Sequence, residues 1–464
     1  MPSDQYLDCL QKFLASSLPK SLFVAHPNDV AKPSFMLPPE WETWWDWAAS
    51  TPEPWVELLS YYVGQRPCSN IPSSLSQLID NVKVLQLTRS QGLPPVPAGD
   101  GSQSHEIQYA NTDTGRQAPR QGMSPKKQHE VSAMTAHITQ VLRTSSALKG
   151  AHHVVDIGAG QGYLSWNLRA LGMHVLALDS SAIQANGAER RRSYGKVSGG
   201  QGSLTYKIAK VTPNSLLQSV DEWITALSPT AELHPPSVVF VALHACGSLT
   251  ADILRTSVSA MRGSNGEKHG WTLKAAFVVG CCYNMMEEKD FTLYSDVARG
   301  DCPLSPSHLQ LAAQVPSTWL DHKAQAAFAL RKVSWRALLE VATTESDSTN
   351  GCLTEKRRLG RVNNALYQRW DQFLRMSLEK MHKIPIPGME LFPEKLVRLE
   401  KQLSTLHTLR CLLGPCVESF IIWDRYTWLK EVSECGTYFE VHLLNLFDQS
   451  QASGRNILID IISN

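Results

Sequence analysis

A chain of 464 residues exceeds what one minimal core requires, so two or three structural units are expected. Its 43% hydrophobic and 19% charged residues are those of an ordinary globular protein, and a formal net charge of +1 excludes a global affinity for nucleic acid or membranes. There is no basic start followed by a long apolar run, no stretch near the length of a bilayer span, and no regular framework among the ten cysteines. Together these predict reduced thiols in the cytoplasm or nucleus, with no membrane partner.

Residues 1–89 read as a helical N-terminal region, with apolar residues at helical spacing over 4–14 and 75–87. Between them, Pro38-Pro39-Glu40-Trp41-Glu42-Thr43-Trp44-Trp45-Asp46-Trp47 opens on a proline pair suited to a helix start. Its tryptophans are read as the core of a small helical domain, with base stacking as the alternative. Residues 90–122, rich in Gly, Pro, Ser, Gln and Asn, bury too little apolar surface to order themselves and are expected to be a linker.

The first part of the core spans 123–282. Ser124 and Pro125 form a cap and first-turn pair for a helix reaching about residue 148. Strands are then expected over 154–157, 174–179, 204–209, 237–243 and 275–280, with helices over 163–171, through 188, and over 249–261. Such alternation implies a parallel sheet. Residues 283–415 read as a mostly helical insertion that includes 323–341 and 362–382 and is interrupted by Lys383-Ile384-Pro385-Ile386-Pro387-Gly388. The end of the core, 416–464, adds a helix over 417–430 and strands over 438–447 and 456–462. The polar turn 448–455 makes these last strands an antiparallel hairpin.

One segment carries most of the chemistry. Val154-Val155-Asp156-Ile157-Gly158-Ala159-Gly160-Gln161-Gly162 is an apolar strand running into a glycine-rich turn. The phosphate fingerprint of dinucleotide enzymes needs Gly-x-Gly-x-x-Gly, and Tyr163 stands at the sixth position. A carboxylate at the strand end would repel a pyrophosphate but suits a sulfonium cofactor carrying an amino group, S-adenosylmethionine. Asp179 ends the next strand, where an acid accepts ribose hydroxyls; capping of the following helix, which Ser180 and Ser181 could also do, is the alternative. Gly158, Gly160, Gly162, Tyr163 and Ser180 complete this cofactor end. After the third strand, where an acid is usual, the sequence holds Ala209-Lys210-Val211-Thr212.

In a doubly wound sheet, chemistry sits beyond the carboxyl ends of the strands. The fourth strand ends in Leu243-His244-Ala245-Cys246-Gly247 and the fifth in Gly280-Cys281-Cys282-Tyr283-Asn284. His244, Cys246, Cys282 and Tyr283 are therefore candidates for substrate contact or proton handling. Consecutive strand residues point to opposite faces, so Cys281 and Cys282 are not expected to share one ion, and no metal is assigned. Cys246 and Cys281 as small buried residues are the alternative. Lys126 and His129, in the charged start Lys126-Lys127-Gln128-His129-Glu130, are candidates for contact with cofactor; a solvated helix start explains them equally. Glu189-Arg190-Arg191-Arg192 and Lys356-Arg357-Arg358 are basic runs that suit phosphates or a solvated face.

From Met123 onward the chain resembles the methyltransferase-like 25 family, most closely the 25B branch, also named for a ribosomal RNA adenine dimethylase domain. The resemblance lies in Met123-Ser124-Pro125-Lys126-Lys127-Gln128-His129-Glu130-Val131, in Asp156-Ile157-Gly158-Ala159-Gly160-Gln161-Gly162-Tyr163-Leu164-Ser165, and in Gly187-Ala188-Glu189-Arg190. The ends of the fourth and fifth strands, Asp424-Arg425-Tyr426 and Arg455-Asn456-Ile457-Leu458 follow the same pattern. It implies an α/β fold: a doubly wound, Rossmann-like sheet of seven strands with a helical N-terminal region and a helical insertion before the closing hairpin. It also implies methyl transfer from S-adenosylmethionine, with rRNA or tRNA as the partner. The Asn/Asp-x-x-Tyr/Phe motif of adenine dimethylases is replaced here by Leu243-His244-Ala245-Cys246-Gly247. The His-x-Cys-Gly and Cys-Cys pair is similar instead to a tRNA 2′-O-methyltransferase family. Protein methylation and a non-catalytic scaffold remain the alternatives.

Overall fold

The computed structural model describes residues 3–30, 35–68, 70–96, 123–184, 187, 202–227, 234–263, 269–294, 304–343, 359–381, 393–434 and 438–464. It contains one seven-stranded sheet: β1 (His153–Ile157), β2 (His174–Asp179), β3 (Leu204–Ile208), β4 (Ser237–Cys246), β5 (Thr272–Cys281), β6 (Phe439–Asn445) and β7 (Ile457–Ser463). The order is β3-β2-β1-β4-β5-β7-β6. The first five strands are parallel, and β7 runs antiparallel to both β5 and β6. Strand order reverses between β1 and β4, which opens a crevice beyond their carboxyl ends.

The central strands are apolar on both faces because helices cover both. Val154, Val175, Val239, Val241, Ala275, Phe277 and Leu458 share one cluster with Val131, Met134 and Ile138 of the Pro125–Thr144 helix. That helix is capped as its sequence predicts, the Ser124 hydroxyl accepting from Lys127 N at 3.3 Å. It stops at Thr144, and a short 3-10 turn, Ser146–Leu148, replaces its expected last turn.

The sheet is the one expected, with three local differences. β4 and β5 run on past their apolar segments, because Ala245 and Cys246 pair with Gly280 and Cys281 after an irregularity in the ladder. A further helix, Pro213–Leu227, buries Leu216, Val220, Trp223 and Ile224 at helical spacing. The helix expected over 362–382 is broken: Arg369 takes an extended conformation between a 3-10 turn, Asn364–Gln368, and a helix, Trp370–Met381.

The chain forms two compact units: Met1–Gln11 with Leu85–Ala313 and Cys416–Asn464, and Lys12–Val84 with Gln314–Pro415. Segments read from sequence as an N-terminal region and an insertion thus contribute to one unit. Within it Trp41 and Trp44 are fully buried, and the Trp41 indole donates to Ser74 Oγ at 3.0 Å, so these two rings serve the core. The expected linker begins later than residue 90. Gly92 N donates to Asn445 O at 2.8 Å and Asn445 N to Leu93 O at 3.1 Å, which ties this stretch to the end of β6. The rest of the linker (97–122), residues 188–192 with their basic run, Lys356-Arg357-Arg358 and the loop 383–388 lie outside the described residues. Among the described residues, no helix is long and apolar enough to cross a membrane.

Candidate active site

A cavity of about 980 Å³ lies beyond the carboxyl ends of β1, β2 and β4. The glycine turn forms one wall. Gly158, Gly160 and Gly162 all take positive φ (73°, 57° and 73°), which a side chain disfavours, and this lets the chain reverse from β1 into the Tyr163–Ala170 helix. A Cβ on Gly160 would meet nothing within 4 Å, so the backbone there is bare toward open space. Gly158, Gly160, Tyr163, Asp179 and Ser180 line the cavity, whereas Gly162 does not and instead starts the helix by accepting from Trp166 N at 2.9 Å.

Two acids flank the turn. Asp156 is buried and accepts from Ser165 Oγ at 2.5 Å; burial pushes its carboxyl up to about 6 against that bond and the nearby Lys127 charge. Asp179 accepts from Gly160 N and Ser181 N, each at 2.8 Å, one bond per carboxylate oxygen. Each oxygen keeps a lone pair for a ligand. The Tyr206 hydroxyl on β3 donates to Gly160 O and fixes the turn from the far side. Ala209, Lys210, Val211 and Thr212, after β3, also line the cavity.

The opposite wall comes from β4 and the Pro125–Thr144 helix. His244 Nε2 stands 3.0 Å from Glu130 Oε2, although the residues are 114 apart in sequence. Glu130 Oε1 accepts from Ser453 N at 3.0 Å, and Lys127 Nζ lies 3.8 Å from Oε2. Burial would raise Glu130, but the His244 and Ser453 hydrogen bonds and the Lys127 charge outweigh it and hold the carboxyl below its usual range. Glu130 therefore stays ionised and fixes the imidazole. With the proton on Nε2 facing the carboxylate, Nδ1 is the basic atom. His244 and Lys127 line the cavity.

Besides Gly162, four expected site residues lie outside the cavity lining. Lys126 is exposed and outside the lining; its neighbour Lys127 takes that place. His129 turns away and meets Phe447 edge-on, ring centroids 6.3 Å apart. Tyr283 is buried, its hydroxyl donating to Glu418 Oε1 at 3.1 Å, so it supports the fold and does not touch the cavity. Cys282 is outside the lining as well, but the alternation argument against it fails. It leaves the strand with φ 48° and ψ 46°, and its sulfur converges with those of Cys246 and Cys281, all within 4.8 Å of one another. Cys246 lines the cavity and its Sγ is 3.2 Å from that of Cys281.

Asp424 and Arg425 explain a motif that carried no assigned role. Both are fully buried. Asp424 accepts from Leu293 N at 2.8 Å and from Tyr294 N at 3.1 Å, and Arg425 donates to Asp290 O at 3.0 Å. They clamp the loop after β5, whose Met285, Glu287 and Lys289 line the cavity.

The sheet is doubly wound with an antiparallel seventh strand and carries an acid-flanked glycine turn at its switch point, and residues 126–289 match the family model described as "Methyltransferase domain". The chain is also similar to the protein named "Probable methyltransferase-like protein 25". It is 24% identical to that of Mus musculus over 264 residues, 53% of this chain and 41% of the other. It is 25% identical to that of Homo sapiens over 246 residues, 48% and 37% of the two chains. The chain thus spans about two fifths of the length of these curated relatives. No solved structure matches it.

Proposed function

We propose that this protein is a methyltransferase that uses S-adenosylmethionine and methylates a hydroxyl group of RNA. The observation that carries the reading is the Glu130–His244 pair, whose imidazole lines the same cavity as the glycine turn and its two acids. The cofactor fits the residues present. Asp179 offers two lone pairs to ribose hydroxyls, Gly160 is bare toward the cavity, and Asp156 and Glu130 supply negative charge for a cationic ligand. When bound, the cofactor supplies a methyl carbon activated by its sulfonium.

The remaining steps belong to the chain. A hydroxyl is a weak nucleophile until its proton leaves, and His244 is placed to take that proton. Glu130 holds the resulting imidazolium by charge and by its hydrogen bond. Methylation of an exocyclic amine would instead call for the acceptor motif that this sequence lacks. The likeness of His244-Ala245-Cys246-Gly247 and Cys281-Cys282 to tRNA 2′-O-methyltransferases supports RNA over protein. Labelled methyl transfer to fractionated RNA and protein from cells lacking this protein tests the reading. Ribonuclease-sensitive label held on ribose is the expected result; label confined to protein would overturn it.

Asp156 gives this cofactor site a pH dependence. Its folded value, about 6, lies above its ordinary one, so folding stability falls as pH rises between about 4 and about 6. Binding of a cation has the opposite sign, because it needs the ionised carboxylate. Affinity for S-adenosylmethionine is expected to hold down to about pH 6.5 and then to fall by up to about tenfold per pH unit. Calorimetry on folded protein between pH 5 and pH 8 measures it, and constant affinity across that window would remove Asp156 from cofactor recognition.

A further inference from the structure

The turn after β5 is unusual in its backbone. Among the described residues only Asn70 and Cys282 take positive φ without being glycine, and Asn tolerates that region far better than Cys. The strained conformation reverses the direction that a continued strand would give the second cysteine. The turn after β4 is pressed against it. Gly247 N donates to Cys281 O at 2.9 Å, and a Cβ on Gly247 would lie 2.6 Å from Met285 O, which only glycine avoids. These two constraints serve one outcome, the convergence of three sulfurs from two strand ends. Among the described residues no other group of three or more His, Cys, Asp or Glu ligand atoms converges in this way.

We propose that Cys246, Cys281 and Cys282 bind one zinc ion as thiolates at the wall of the cavity. Soft thiolates select zinc over the hard cations, and a filled d shell imposes no geometry that the three sulfurs must meet. Each thiol gives its proton to solvent on binding, so three protons leave for one ion. Tetrahedral zinc then keeps one position for water on the Cys246 side, the side that lines the cavity. His244 stays outside the ligand set, since its Nε2 is held by Glu130. The proposal does not depend on the acceptor or on the cofactor.

The test uses the full chain purified under reducing conditions without chelator. Elemental analysis is expected to give about one zinc per chain, and thiol titration should find three cysteines that react only after the metal is removed. Cys246→Ser and Cys282→Ser should each lose the zinc, while His244→Ala and Cys416→Ser should keep it. If the serine variants fail to fold, cobalt added to the reduced, metal-free chain reads the same claim: it should give thiolate charge-transfer absorption and the strong visible bands of a tetrahedral ion. Cobalt without those bands, zinc retained by the serine variants, or a reduced folded chain that takes up no zinc would each overturn it. So would a Cys246–Cys281 disulfide in chain purified without oxidant.

Discussion

His244→Ala is expected to lower the rate of methyl transfer by about 10²- to 10⁴-fold, the usual worth of a positioned base, while leaving S-adenosylmethionine affinity unchanged. The separation follows from geometry, since the His244 side chain bonds Glu130 and makes no bond to either Asp156 or Asp179. Glu130→Gln should keep the imidazole in place but remove the charge that favours its protonated form. Its rate should fall, because the His244 imidazolium formed as the acceptor proton leaves has lost its counter-charge. A purely structural role predicts another pattern, with melting temperature and rate falling together in proportion to the folded fraction. Rates, melting temperature and cofactor affinity measured on both variants separate the two. Full turnover by folded His244→Ala would remove this residue from the chemistry.

Arg89→Ala is expected to be strongly damaging to the fold. Arg89 Nη2 lies 2.6 Å from Glu418 Oε2, with the two side chains only 16% and 4% exposed. The Tyr283 hydroxyl donates to the other Glu418 oxygen, and Arg89 Nη1 donates to Asn456 Oδ1 at 3.2 Å. Removing the guanidinium leaves a buried carboxylate without its hydrogen-bonded counter-charge, with only the Arg455 charge still acting on it, which costs about 3–5 kcal/mol. Burial already raises the Glu418 carboxyl, and losing Arg89 raises it further. A carboxyl with a raised folded value destabilises more as pH rises, so the loss should be larger at pH 8 than at pH 5. The double change Arg89→Met with Glu418→Leu should recover most of the stability, since an apolar pair of similar volume often replaces a buried ion pair at little cost. Denaturant unfolding of the three variants measures it; a loss under about 1 kcal/mol for Arg89→Ala would show the pair to be an ordinary surface contact.

The parts of the site that were legible in the sequence are those written in a few consecutive residues. Asp156, Gly158, Gly160 and Asp179 sit at or just after strand ends, and apolar runs of Val and Leu mark those strands whatever surrounds them. The β6–β7 hairpin was legible for the same reason, through alternation and a polar turn. The Glu130–His244 pair was not, because nothing local joins a helix start to the end of a strand 114 residues later. Lys127 and Lys126 are neighbours on a helix, and only the packing of Val131 and Met134 into the core decides which of the two turns inward. Tyr283 looked like a site residue because it follows a strand end, but its partner Glu418 lies in a distant segment. Cys282 was misread on a sound rule: alternation holds along a strand, and the chain leaves the strand between the two cysteines.

The central claim, that the acid-flanked glycine turn binds a sulfonium cofactor, is tested most directly by calorimetric titration of S-adenosylmethionine and its demethylated product into the full chain. Saturable binding at one site is predicted, unaffected by NAD because Tyr163 stands where the third fingerprint glycine would be. Asp179→Ala should weaken it by on the order of tenfold or more, the 1.5–3 kcal/mol of a hydrogen bond to a charged acceptor. A folded chain that binds neither S-adenosylmethionine nor its product, or that binds NAD tightly, would contradict the account.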